Sequence, residues 1–315
     1  MAATGLVSVV IPTRDRRELL ARAIASCEES ARGGPDVEVI VVDDGSQDGT
    51  AEALRNLPGV RYLRQETSLG RCRARDSGLA AARGELVKFL DDDDFLASGA
   101  LAEEAELARN RCADIVAGGW RTAGAGVPER TFMPPDFADG VDSLLRGAAV
   151  PTGAALYRKS ALTGVAWEES CGKLDDWDFF LHAALAARRI ERLPRVVYTW
   201  FGHAGQGIHR DSMLDNARAF YRVLDRLEVA LGHRNLLTEA RRRRLAQYRY
   251  KELRVLCRYH RSAFELEVER IQSLDPEFFP RDEELRGVMR LLSRLVGFRT
   301  ANLIWFTAGR LVGRF

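Results

Sequence analysis

The chain has 315 residues, 46% of them hydrophobic, which is enough apolar material for one large domain and a smaller one. Its charges nearly balance, 47 Lys and Arg against 45 Asp and Glu, but residues 206–315 carry 22 basic against 14 acidic side chains and the remainder 25 against 31. Five scattered cysteines (Cys27, Cys72, Cys112, Cys171 and Cys257) form no CxxC pair, which argues against a disulfide framework or a zinc site and suits a reducing cytoplasm.

The opening MAATGLVSVVIPTRDRR lacks a basic segment before a long apolar stretch, so no signal peptide is expected. No apolar run approaches the roughly 18 residues of a spanning helix. Residues 7–11 are a short β-branched run stopped by Pro12 and read as a buried strand. Helical spacing follows over 16–30, closed by Gly33-Gly34-Pro35-Asp36. A second strand at 37–42 ends in Asp43-Asp44-Gly45-Ser46, followed by a helix at 48–57 and a strand at 60–64. A third helix ends near 77–82, and a strand at 86–90 runs into Asp91-Asp92-Asp93-Asp94. Alternation at this pitch predicts an α/β fold with a largely parallel sheet and flanking helices. Such sheets bind ligands at the carboxyl ends of their strands, where both acidic clusters fall.

Further along, the pattern predicts a helix at 101–110, a strand at 115–120, a Gly- and Pro-rich loop over 122–139, a helix at 174–189 and a strand at 196–201. Beyond these the period is helical: 211–231, 237–272 and 282–314. The change in period and charge predicts a catalytic domain over 1–207 and a basic helical region over 208–315. That region suits packing on the core, a homodimer contact, or peripheral contact with an anionic membrane surface. No nucleic-acid partner is expected.

Four groups of residues carry chemistry. Carboxylates at a sharp strand end hold a hard cation such as Mg²⁺ or Mn²⁺ through oxygen and leave room for diphosphate oxygens. Four adjacent acids also need a counter-charge. In Asp43-Asp44-Gly45-Ser46 a carboxylate can accept from a base N–H or a ribose hydroxyl, or form a turn that caps the next helix. In Gly70-Arg71-Cys72-Arg73-Ala74-Arg75 the three arginines cannot share one helical face, so one or two can face phosphates. In Leu174-Asp175-Asp176-Trp177, a carboxylate at a helix start is a candidate general base or a helix cap.

The order SVVIPTRDR, VIVVDDGSQDGT, GRCRARDSGLAAARGELVKFLDDDDFL, LDDWDFF, over about residues 6–205, closely resembles the inverting family 2 glycosyltransferases with the GT-A fold. The resemblance implies that Pro12, Thr13, Arg14 and Asp44 bind the nucleotide base. It implies that Asp93 ligates the metal, with Asp91 and Asp92 near the ribose and the metal shell. Arg75, with Arg71, belongs to the donor side, although the family's Asn beside that arginine is Asp76 here. Asp176 becomes the catalytic base, with Asp175 and Trp177 beside it, and the stretch from Gly153 to Arg158 the acceptor side. His203, or alternatively His209, would join the metal. The implied reaction is non-processive transfer from a nucleotide diphosphate sugar, by default a UDP-sugar, to an acceptor hydroxyl of a glycan, a lipid-linked sugar or a natural product, in the cytoplasm or at the inner membrane face. The rival readings are a sugar-phosphate nucleotidyltransferase and a non-catalytic nucleotide-sugar-binding protein.

Overall fold

A computed structural model describes residues 3–55, 57–202, 210–253, 256, 260–279, 297, 300–301 and 304. Its first half is built on the apolar runs of the sequence. Strand β1 (Ala3–Thr13) pairs in parallel with β2 (Asp36–Asp43) on one side and with β4 (Gly84–Phe89) on the other, and β3 (Val60–Arg64) extends the sheet beyond β2. Val7, Val9, Val10, Ile11, Ile40, Val41 and Val42 are buried because helices cover both faces. Helix α1 (Arg17–Ser30) buries Leu20, Ala23, Ile24 and Cys27. A short helix α2 (Thr50–Leu54) precedes β3, and α3 (Arg71–Ala81) crosses the sheet next to β1 and β2. At Gly78 of α3 a Cβ would strike Val10 and Val42, so the absence of a side chain sets how close this helix lies.

The chain enters the sheet at β1, moves outward to β3, then returns to the opposite side of β1 as β4. The reversal makes a crevice at the carboxyl ends of β1, β2 and β4, the usual ligand position in open α/β sheets.

The other half of the sheet is mixed rather than parallel. Nine strands form one sheet among the described residues, in the order β3-β2-β1-β4-β8-β6-β9-β5, with β7 paired to β6. Here β5 is Phe95–Leu96, β6 Ile115–Gly124, β7 Arg130–Phe132, β8 Ala155–Arg158 and β9 Ile190–Gly202. Strand β8 is antiparallel to both β4 and β6, and β5 to β9, while β6 and β9 run parallel. The expected loop over 122–139 is partly a hairpin, because β6 continues to Gly124 and β7 folds back on it. Turn composition hides a three-residue strand whose residues are all exposed. Helix α4 (Ala100–Asn110) buries Glu104 against Lys88 of β4 at 2.6 and 2.7 Å, with both side chains 0% exposed. Helix α5 (Val141–Leu144) is one turn, and α6 (Asp175–Ala186) opens with three acids in its first turn, where the helix dipole favours them.

The chain divides into two compact units, one of residues 1–144, 148–170 and 175–207 and the other of 145–147, 171–174 and 208–315. In the second, α7 (Arg210–His233), α8 (Glu239–Tyr250) and α9 (Arg261–Leu274) replace the expected helices at 211–231 and 237–272. Of the second, α8 covers the part up to Tyr250 and α9 the part after His260, whose side chain accepts from Ala263 N–H as a cap, and Leu253 and Leu256 between them are helical. Fully buried Arg249 of α8 bonds to Glu228 and Asp225 of α7 and to Glu267 of α9, so one guanidinium fastens three helices. Of the expected helix at 282–314 only residues 297, 300, 301 and 304 are described: Gly297 is outside a helix, and the other three are helical.

Candidate active site

A cavity of about 490 Å³ occupies the crevice, lined by Pro12, Thr13, Arg14 and Arg16 after β1, Asp44 after β2, Ser68, Gly70 and Arg71 before and at the start of α3, Asp91, Asp92 and Asp93 after β4, and Trp200 of β9. Eight of the residues singled out in the sequence therefore meet in one place. Arg16, Ser68, Gly70 and Trp200 were not anticipated. The only signal for Arg16 was its position two residues after Arg14. Gly70 opens the stretch that carries Arg71 and Arg75, and nothing in the sequence marks Ser68 or Trp200.

Asp44 is 5% exposed, and its carboxylate accepts from Ser68 Oγ at 2.6 Å, Leu69 N–H at 2.7 Å and Gly70 N–H at 3.1 Å. It thus shapes the 68–70 loop at the cavity wall. Arg14 donates to the same Ser68 hydroxyl at 2.7 Å. Asp43 is turned away into the fold, where Ser46 N–H, Tyr62 and Arg64 satisfy it.

The four aspartates separate into distinct environments. Asp91 accepts from Arg75 at 2.5 Å, with 36% of its side chain exposed. Asp92 is held by the Thr13 hydroxyl at 2.7 Å, and burial pushes its carboxyl up to about 6 despite that bond and Arg16. Asp93 meets the Arg16 guanidinium at 2.7 Å, and the same Arg16 nitrogen reaches Asp92 at 3.1 Å. Asp94 faces away from the cavity. It accepts from the buried Tyr198 hydroxyl and from Phe201 N–H, and burial, followed by Asp91, raises it to about 8. Its role is to tie the acidic turn to β9.

The counter-charge that these acids require is provided by Arg16 and Arg75. Arg71 and Arg75, four residues apart, share a face of α3, while Arg73 between them is exposed. Arg71 grips Asp175 with two bonds, at 2.6 and 3.0 Å. Arg75 is buried, stacks on Trp167 at 4.3 Å, and bonds both Asp91 and, at 3.1 Å, Asp175. Trp167 in turn lies flat on Phe179 of α6, with centroids 4.1 Å apart. Arg75 therefore bridges the cavity aspartates to the start of α6.

Asp176 follows Asp175 at that start. Its Oδ1 accepts from Trp177 N–H at 2.7 Å, and its half-buried carboxyl is raised to about 6, first by burial and then by Asp175. Trp177 is half-buried and does not line the cavity. His203 and His209 lie outside the described residues.

Asp91 and Asp93 offer hard oxygen donors at the cavity wall, which suits Mg²⁺ or Mn²⁺. Among the described residues no group of three acids, histidines or cysteines converges on one point. A magnesium-type site needs only one or two carboxylates when the substrate supplies the remaining oxygens. Arg16 spanning Asp92 and Asp93 marks where positive charge is required.

The family model described as Glycosyl transferase family 2 matches residues 8–163, spanning the cavity-forming segments up to β8. The chain belongs to this family. A β-1,3-glucosyltransferase of Campylobacter jejuni, named for GalNAc(5)-diNAcBac-PP-undecaprenol, is 42% identical over 101 residues, 30% of this chain and 32% of that protein. The poly(ribitol-phosphate) β-N-acetylglucosaminyltransferase TarS of Staphylococcus aureus is 27% identical over 238 residues, 73% of this chain and 41% of that protein. The chain thus spans well under half the length of these relatives. Crystal structures of S. aureus TarS 1–349 with UDP and with UDP-GlcNAc superpose with a TM-score of 0.63, at 22% and 21% identity, over 96% of this chain. They cover 91% and 92% of the TarS chain. That likeness shows the fold: GT-A, followed by a helical segment.

Proposed function

We propose that the chain is a nucleotide-sugar-dependent, inverting glycosyltransferase. The cavity takes the nucleotide diphosphate sugar, by preference a UDP-sugar, and Asp176 acts as the base toward an acceptor hydroxyl. The observation that carries this reading is the Arg75 bridge. One buried guanidinium holds Asp91, at the donor cavity, and Asp175, the immediate neighbour of Asp176. Donor and acceptor machinery are thereby set at a fixed separation, which is what a single displacement requires. Relatives named as glycosyltransferases, and structural neighbours that hold UDP and UDP-GlcNAc, favour this reading over nucleotidyl transfer or silent binding.

Pro12, Thr13 and Arg14 form the wall for the base, with Asp44 setting the loop opposite. Arg16 and Arg71 reach the cavity as cations for diphosphate oxygens. Asp93, assisted by Asp91, would hold Mn²⁺ or Mg²⁺, which when bound neutralises charge on the departing diphosphate. Asp176, raised to about 6, is mostly ionised at neutral pH yet remains a stronger base than an exposed carboxylate. Its Oδ2 takes no protein hydrogen bond among the described residues and is open to receive the acceptor proton.

Transfer from UDP-GlcNAc and other nucleotide sugars to a glycan panel, followed by release of the nucleoside diphosphate, tests the proposal. Asp176→Asn is expected to lower turnover by about 10²–10⁴-fold, the usual worth of a general base, with UDP affinity kept. Wild-type turnover in a folded Asp176→Asn protein would remove Asp176 from the role.

A further inference from the structure

Strand alternation divides β6 and β9 between two faces of the sheet. Arg121 Nε donates to Thr199 Oγ1 at 3.0 Å, and Phe201 meets Phe95 with ring centroids 5.9 Å apart, so Arg121, Thr199 and Phe201 share one face. Trp120, Tyr198 and Trp200 therefore stand on the other. That is the face of the active site, because Trp200 lines the cavity.

On this face the registers line up aromatic rings. Trp120 pairs with Tyr198 across β6 and β9, and with Phe132 across β6 and β7. The Trp120 and Phe132 rings stack, with centroids 5.1 Å apart and planes 14° off parallel. A row Phe132–Trp120–Tyr198 thus crosses three strands, with Trp200 one step along β9 at the cavity. The row is held firmly. The β6–β7 ladder fixes Phe132, and Arg192 Nε donates to Pro134 O at 3.1 Å just beyond it. Its two ends remain open to solvent: Phe132 is 37% exposed and Trp200 37%. At the inner end the Tyr198 ring packs on Gly153, in the 152–154 turn that contacts α6, the helix that opens with Asp175 and Asp176.

Building on the glycosyltransferase reading, we propose that this row is the acceptor subsite and that it takes the pyranose ring of a glycan rather than an acyclic polyol phosphate. It is continuous with the donor cavity through Trp200, and its inner end packs on the turn that contacts α6, which carries Asp176, so it lies where an acceptor has to lie. A pyranose presents a flat face of C–H groups that matches the negative face of an aromatic ring and leaves its hydroxyl edges free. An extended alditol phosphate has no such face and would be matched by a cationic cradle instead.

The full chain labelled with 5-fluorotryptophan, in the presence of UDP, tests this by ¹⁹F NMR titration with methyl β-D-glucopyranoside, methyl N-acetyl-β-D-glucosaminide and ribitol 5-phosphate. At least one pyranoside is expected to produce a saturable shift, and ribitol 5-phosphate none. Phe132→Leu should weaken pyranoside binding about tenfold, and Phe132→Tyr should keep it. Equal binding of ribitol 5-phosphate, no response to either pyranoside, or undiminished binding by Phe132→Leu would overturn the proposal. So would a Phe132→Leu protein that keeps glycan binding but loses co-sedimentation with anionic phosphatidylserine vesicles, since the rings would then serve a membrane. Calorimetry of UDP on the same samples separates the two readings: failure to bind UDP strikes the donor assignment, whereas the pyranoside titration alone decides the subsite.

Discussion

Asp176 and Arg16 show how single side chains set the chemistry. Because burial and Asp175 raise the Asp176 carboxyl to about 6, its basic form is lost as pH falls through that value. Turnover per bound donor is therefore expected to rise with pH through an apparent pKa near 6 and then to level off, and a pH–rate profile reads it directly. Arg16 fills the charge gap between Asp92 and Asp93. Arg16→Ala is expected to tighten Mn²⁺ binding in the absence of nucleotide several-fold by calorimetry, because the ion no longer competes with a guanidinium. At this scale the sequence was informative for residues that stand in short motifs at strand ends, such as Asp44 and Asp91 to Asp93. It was silent on Ser68 and Trp200, which reach the cavity only through the folding of the chain. It also could not separate Asp94 from its neighbours, since only the tertiary contact with Tyr198 turns that carboxylate inward.

At the scale of elements, the β1–α1–β2 and α3–β4 units were legible because buried parallel strands are uninterrupted apolar runs. The antiparallel half was less so. Strand β7 is short and exposed, and β8 is only four residues long. Close approaches between elements explain two further expectations. A Cβ at Gly153, in the turn before β8, would overlap the Tyr198 ring, and that ring carries the bond to Asp94. Gly153→Ala should cost about 1–3 kcal/mol in chemical denaturation and should lower donor affinity through the displaced acidic turn. The buried Lys88–Glu104 pair joins β4 to α4 without touching the cavity. Lys88→Met alone leaves a buried carboxylate unpaired and should cost about 3–5 kcal/mol, whereas Lys88→Met with Glu104→Leu should recover most of the loss. A double-mutant cycle on urea midpoints checks both.

Over the whole molecule, two compact units carry different parts of the charge pattern. The first contains the cavity and belongs to the family by its own residues. The second is helical, and Arg249 with its three acids accounts for some of its excess of charged residues as internal fastening rather than surface. No helix among the described residues is long and apolar enough to cross a membrane. The start of a new helix at Arg261 was not legible, because the apolar period runs on through 251–260 while His260 caps the helix there. The central claim is that the acidic cavity is a nucleotide-sugar donor site, and calorimetric titration of UDP-GlcNAc with and without Mn²⁺ tests it most directly. Saturable binding that strengthens at least tenfold with Mn²⁺ and loses that gain in Asp93→Ala is the expected result. A wild-type protein that binds no UDP-GlcNAc in either condition, or an Asp93→Ala protein that binds it as the wild type does, would contradict the account.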